Sequence, residues 1–159
     1  MKKLLTCLLA LVMSLSLLTG CGDAVADEFE KFLNEDMVTV NAKYEDLKTE
    51  LAKWNNFETD TEMIDSLKNV ILPNIDEEIA MVNAIELTTD EVNAVKAKFM
   101  TMLNKYKEAY SAMLTALEAA DVTALENSVT IVQEGIAALD EYNKALEDLA
   151  AEKGMTVGY

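Results

Sequence analysis

The 159-residue chain contains no histidine and no arginine, and it has only two cysteines, one proline, five glycines and one tryptophan. Without histidine it lacks the usual general base and the commonest metal ligand. Without arginine it lacks the planar fork that grips phosphate or carboxylate bidentately. A di-iron bundle, which needs Glu-x-x-His, is excluded on the same ground. Serine, threonine and lysine are present, but none stands in a Gly-x-Ser-x-Gly, Ser-x-x-Lys or P-loop setting, and no base is available to activate them. The expectation is a non-enzymatic protein with no cofactor and no metal.

Acidic residues dominate what is present. All 29 lie after residue 20, against 11 of the 13 lysines, so residues 21–159 carry a formal charge of −18. Such a surface repels nucleic acid and anionic headgroups.

The chain opens Met1, Lys2, Lys3 and then runs through 15 residues, 4–18, broken only by Thr6, Ser14 and Ser16. A basic start followed by an apolar run is the form of an export signal. The run is too short for a permanent span of the hydrocarbon core, which takes roughly 20 residues. Leu18, Thr19, Gly20 and Cys21 then match every position of the bacterial lipobox, so the N-terminus resembles that of the bacterial lipoproteins. The resemblance implies a diacylglycerol thioether on Cys21, cleavage between Gly20 and Cys21, and a mature chain held by its lipid on the extracytoplasmic face of a cell membrane. Cys7 would leave with the signal. The mature chain would then have neither a free thiol nor a disulfide, and packing alone would stabilise it.

The remaining 139 residues suit one domain, and their apolar spacing is helical. Leu33, Met37, Val40, Tyr44, Leu47, Leu51 and Trp54 repeat at alternating spacings of 4 and 3. Trp54, Asn55, Asn56 and Phe57 interrupt this seam, and Thr59 with Glu62 forms a capping box for the next helix. That helix carries Ile64, Leu67, Ile71, Ile75, Ile79, Val82 and Ile85. Thr88 with Glu91 reads as a second capping box, with Leu87 and Val92 as a hydrophobic staple. The third seam runs from Val92 through Phe99, Met102, Tyr106 and Met113 to Leu117. Asp121 is the expected cap of a fourth helix with the seam Leu125, Val129, Val132, Ile136, Leu139, Asn143 and Leu146, ended by Gly154. The expected fold is all-α: an antiparallel up-down-up-down four-helix bundle over residues 21–159, after a signal peptide over 1–20. Its helices cover about 24–53, 60–86, 89–119 and 122–153. The tail after Gly154 has no evident role.

Few residues stand out as candidate sites. Met100 and Met102 resemble a soft-metal pair, but neighbouring positions face different ways and core packing is favoured. Glu77 with Glu78, and Asp140 with Glu141, read as a solvated acidic face, because adjacent helical residues diverge and no calcium loop is present. Asn143 on a seam is expected to fix register. Trp54, Asn55, Asn56 and Phe57 lie at the tip farthest from the lipid, where they either cap the core or present a partner surface. Pro73 and Gly135 each fall 14 residues past a cap, in helices that the topology makes parallel. Two breakers at one height suggest a waist bordered by Val40, Tyr44, Ile71, Ile75, Met102, Tyr106, Val132 and Ile136. An interior site would lie there, at Tyr44, Pro73, Tyr106 and Gly135. The bland alternative is a filled core with a helix curved at Pro73.

Two functions follow as expectations. One is a membrane-anchored helical protein that binds an envelope or extracellular protein or serves as a spacer. The other is a bundle holding a small molecule or ion at mid-height. The anchor is tested directly by Cys21→Ser, which is expected to abolish incorporation of an alkyne fatty acid and to block processing. Label persisting on the variant would contradict it.

Overall fold

The computed structural model describes residues 14–16 and 22–158. The expected signal peptide apart from Ser14–Ser16, the lipobox residues and Cys21 lie outside the described residues. The fold is all-α. Six helices, α1 Ala24–Lys31, α2 Val38–Lys53, α3 Asp60–Ser66, α4 Leu72–Ala84, α5 Asp90–Glu118 and α6 Val122–Glu152, are joined within the first two segments by wider turns. A short antiparallel ribbon pairs β1 Ser14–Ser16 with β2 Thr156–Gly158. No described helix is long and apolar enough to cross a membrane.

The first seam is continuous but not uniform. Between α1 and α2 a π-helical turn, Phe32–Asp36, closes with Met37 N–H donating to the Phe32 carbonyl at 2.9 Å. The extra residue turns Phe29, Phe32, Leu33 and Met37 all toward the core, where each is buried. A second π-helical turn, Leu67–Ile71, joins α3 to α4. It ends just before Pro73, the second residue of α4. Proline cannot supply the amide of a regular ladder, and its ring crowds the carbonyl four residues back. The kink expected at Pro73 takes this form, a widened turn placed ahead of the ring, and it leaves Leu67, Ile71 and Ile75 fully buried.

The capping box of Thr59 and Glu62 is present, Asp121 caps α6 by accepting from Ala124 N–H at 2.9 Å, and Gly154 stops α6 at φ +68. The second capping box is not. α4 ends at Ala84, short of Glu86, because Ile85 turns extended and its carbonyl accepts from Lys96 Nζ at 2.5 Å. Thr89, rather than Thr88, caps α5, and its side chain makes no capping bond. The carboxylate of Glu28, 60 residues away, instead accepts from the backbone and hydroxyl of both Thr88 and Thr89 at 2.5–2.8 Å. An acidic group at a helix N-terminus is favoured by the helix dipole as well as by these bonds. Burial raises the Glu28 pKa, but the four bonds outweigh it and bring it down to about 2.

Ion pairs and hydrogen bonds join successive segments at two points each. Lys43 reaches Glu77 while Glu50 accepts from Ser66; Lys107 pairs with Asp76 while Lys68 pairs with Glu118; Lys98 reaches Glu141 while Lys105 reaches Glu134. Asp23, Thr88, Thr89 and Lys153 meet at one end, through the Glu28 bonds and a 3.1 Å pair of Lys153 with Asp23. Trp54, Phe57, Leu117 and Asp121 meet at the other.

The expected seam of α6 is buried only in part: Leu139 and Leu146 are buried, Leu125, Val129, Val132, Ile136 and Asn143 are half-buried, and Ser128, Gly135, Ala138, Tyr142, Leu149 and Ala150 complete the buried face. Small side chains let α6 approach α5 closely, and this displaces the larger seam residues toward the edge of the contact. At Gly135 a Cβ would stand 2.6 Å from Cδ1 and Cε1 of Tyr106.

Gly→Ala in a helix interior ordinarily gains up to about 1 kcal/mol. Here Gly135→Ala is expected to lose about 1–3 kcal/mol, because the Tyr106 ring is buried and must shift. Urea unfolding checks it; a variant of equal or greater stability would contradict the contact.

Candidate functional site

Two places stand out from the apolar core: a group of buried polar side chains at mid-height and an open cleft at the end farthest from Asp23.

At mid-height, α4 carries Asn74 and Glu78 one turn apart. Glu78 is fully buried, and neither carboxylate oxygen has a hydrogen-bond partner among the described residues. The solvated acidic face expected for the Glu77–Glu78 pair is therefore corrected. Glu77 is exposed and binds Lys43 at 2.5 Å, whereas Glu78, rotated about 100° around the helix, points inward. Burial raises the Glu78 pKa to about 8, with the Lys43 charge acting weakly in the opposite direction. Asn74 donates from Nδ2 to the Lys43 carbonyl at 3.3 Å and leaves its own Oδ1 unpartnered.

Tyr44 on α2 and Tyr106 on α5 complete the level. Burial raises both phenols; the charge of Glu78 adds to the rise at Tyr44, while Tyr44 itself lowers Tyr106, which stays at about 12. Tyr106 is fully buried, and its Oη makes no hydrogen bond of good geometry. Its ring lies 6.2 Å from that of Tyr110 and presses on the bare backbone of Gly135. The structure thus brings Tyr44, Tyr106 and Gly135 together, with Pro73 one residue from Asn74. Val40, Ile71, Ile75 and Met102 are buried, and Val132 and Ile136 are half-buried. Sequence reasoning singled out Tyr44, Tyr106 and Gly135 and missed the buried acid on α4. The available signal was Glu78 itself, four residues from Asn74 and between Ile75 and Val82 on the buried side of α4.

At the far end Trp54 is buried and serves the core. Its indole N–H donates to Ser66 Oγ at 2.9 Å, which donates to Glu50 Oε1 at 2.7 Å, and Tyr110 meets it edge-on with centroids 5.9 Å apart. Asn55 and Asn56 are exposed and Phe57 is half-buried. Between this turn and the α5–α6 turn opens a cleft of about 340 Å³ lined by Trp54, Asn55, Phe57, Met63, Leu117, Val122 and Leu125, with Asp60 and Asp121 also in its wall.

The remaining candidates resolve simply. Met102 is buried and Met100 half-buried, and no three metal-ligating side chains gather among the described residues. Comparison with family models, curated proteins and solved structures finds no match to this chain.

The buried carboxyl makes stability depend on pH. Its ordinary value is 4.5, and in the folded chain it titrates at about 8. Between these values the folded chain keeps a proton that the unfolded chain has released, so this contribution is full below about pH 4.5 and is lost as pH rises through about 8. Relative to Glu78→Gln, the wild type is expected to lose stability across that window with a slope approaching about 1.4 kcal/mol per pH unit. Denaturant unfolding of the pair at several pH values measures it, and parallel profiles would contradict it.

Proposed function

We propose that the chain is a lipid-anchored, non-enzymatic protein of the cell envelope, built as an up-down-up-down four-helix bundle, which binds a cationic amphipathic segment of another protein at its membrane-distal tip. The lipobox at residues 18–21 supports the anchor, and the three antiparallel junctions support the bundle. With a lipid on Cys21, the end holding Asp23, the α4–α5 connection and Lys153 faces the membrane. The tip then stands one helix length away, about 45 Å for 31 residues. Cleavage after Gly20 would also separate β1 from β2 and leave Thr156–Gly158 beside the anchor.

The observation that carries the binding reading is the distal cleft. Its floor is apolar and Val122 beside it is 67% exposed, a large unpartnered side chain at the rim. Asp60 and Asp121 stand in its wall, and the bundle as a whole is strongly acidic. A partner that combines an apolar anchor with lysine or arginine satisfies both features, and charge of the opposite sign also steers the encounter. Nucleic acid does not fit this field.

A photo-crosslinking residue placed at Asn55, with an exposed position on α6 such as Asp148 as control, tests the reading in intact cells. The expected result is a discrete adduct from position 55 alone, lost when Val122→Lys adds positive charge at the rim. No adduct, or the same adducts from both positions, would overturn it.

A further inference from the structure

Glu77 and Glu78 are neighbours on α4 with opposite surroundings, and one lysine stands within reach of both. Lys43 of α2 donates to Glu77 Oε2 at 2.5 Å in an exposed pair, while both oxygens of Glu78 are buried and lack a hydrogen bond among the described residues. Asn74 ties the two helices at this point by donating from Nδ2 to the Lys43 carbonyl at 3.3 Å. Positions three and four residues on from Asn74 lie one turn away on its side of the helix, and these are Glu77 and Glu78. The electrostatics agree with that placement. Burial raises the Glu78 pKa and Lys43 is the one charge that lowers it, while Glu78 adds to a rise at Lys43 whose first cause is the bond to Glu77.

We propose that Lys43 serves two acids in turn: it pairs with Glu77 at the surface while Glu78 keeps its proton, and it swings inward to pair with Glu78 when that proton leaves for solvent. An exposed ion pair contributes little, whereas an ionised carboxylate left unpaired in an interior is strongly destabilising, so the buried partner wins once it is charged. The lysine stem suits the exchange, because its flexible carbons lie along apolar surface and carry the ammonium either way. Charge inside is balanced in both states. What changes is the seam of α2 and α4: the surface tie opens, Glu77 is left as a free negative charge facing solvent, and the pair that replaces it lies between the helices. Glu77 is thus a positioning residue for the buried acid, since by holding Lys43 outside it favours the protonated form of Glu78.

The other charged and titratable groups near this contact are engaged elsewhere. On α2, Tyr44 feels the Glu78 charge, and Asp46 acts on Lys43. On α5, Lys107 is paired with Asp76 of α4, and Tyr106 bears on Tyr44. In the π-helical turn ahead of α4, Lys68 is paired with Glu118, and Asp140 of α6 acts on Tyr106. Burial holds Tyr44 and Tyr106 well above neutrality, which leaves the Glu78 proton as the trigger and Lys43 as the moving part.

The test is the pH midpoint of the Glu78 carboxylic-acid band, read by isotope-edited infrared spectroscopy of the full chain and of its Glu77→Gln, Lys43→Met and double variants. Removing Glu77 frees Lys43 to turn inward and is expected to lower the midpoint by about one pH unit or more. Lys43→Met is expected to raise it. Loss of a neighbouring negative charge also favours ionisation directly, and the double variant separates the two causes. Glu77→Gln should shift the midpoint at least about twice as far with Lys43 present as in the Lys43→Met background. If Lys43→Met does not fold, Lys43→Gln takes its place. A smaller ratio, no shift from Glu77→Gln, no rise on removing Lys43, or a Glu78 band absent at every pH would overturn the proposal.

Discussion

The ring of Tyr106 occupies the space that a side chain at Gly135 would need, 2.6 Å from its missing Cβ. That single approach sets the spacing of α5 and α6 along the longest contact in the molecule. It also fixes where the Tyr106 hydroxyl stands, beside Tyr44. A larger residue at position 135 would push the helices apart and move the phenol away from Tyr44. Packing and polarity at mid-height are therefore one problem, solved by the absence of a side chain.

The cost of that solution falls on Glu78. An ionised carboxylate in the interior without a partner is destabilising by several kcal/mol, and such a group responds by holding its proton. The Lys43 ammonium sits close enough to oppose this, but it is bound to Glu77 at the surface. A leucine at position 78 would pack on Ile75 and Val82 with no such penalty. Keeping an acid there, within electrostatic reach of the Tyr44 phenol, is what separates this interior from one built for stability alone. The surface ion pairs between helices bear on register rather than on energy, since exposed pairs each contribute little.

Much of the fold can be read from local pattern, because local forces make it. Seams at alternating 3 and 4 spacing gave the helices, and Thr59 with Glu62, Asp121 and Gly154 marked their ends. What failed was non-local. Thr88 and Glu91 looked like a self-contained cap, yet the donors of Thr88 and Thr89 are taken by Glu28, brought there only by tertiary packing. The α6 face was legible only in its second half, at Leu139 and Leu146, because apolar periodicity gives weight to Leu125, Val129 and Val132, while close approach selects Ser128, Gly135 and Ala138. Gly135 did mark a close approach, that of Tyr106, and Pro73 the widened turn ahead of it. The acid between them was discounted because Glu77 and Glu78 are adjacent in sequence, although adjacency on a helix sends one outward and the other in.

The two ends and the middle of the molecule then differ in chemistry: the Glu28 and Lys153–Asp23 contacts at one end, the cleft with Asp60 and Asp121 at the other, and a carboxyl kept from water between them. The neutrality of that carboxyl is the claim on which the account of the middle rests. Isotope-edited infrared spectroscopy, with glutamate labelled at its side-chain carboxyl, reads it directly. At a pH between 6 and 7, low in salt, the account predicts one band from a protonated carboxylic acid, absent in Glu78→Gln and fading as pH passes about 8. A spectrum containing only carboxylate bands at that pH, identical in the two proteins, would contradict it.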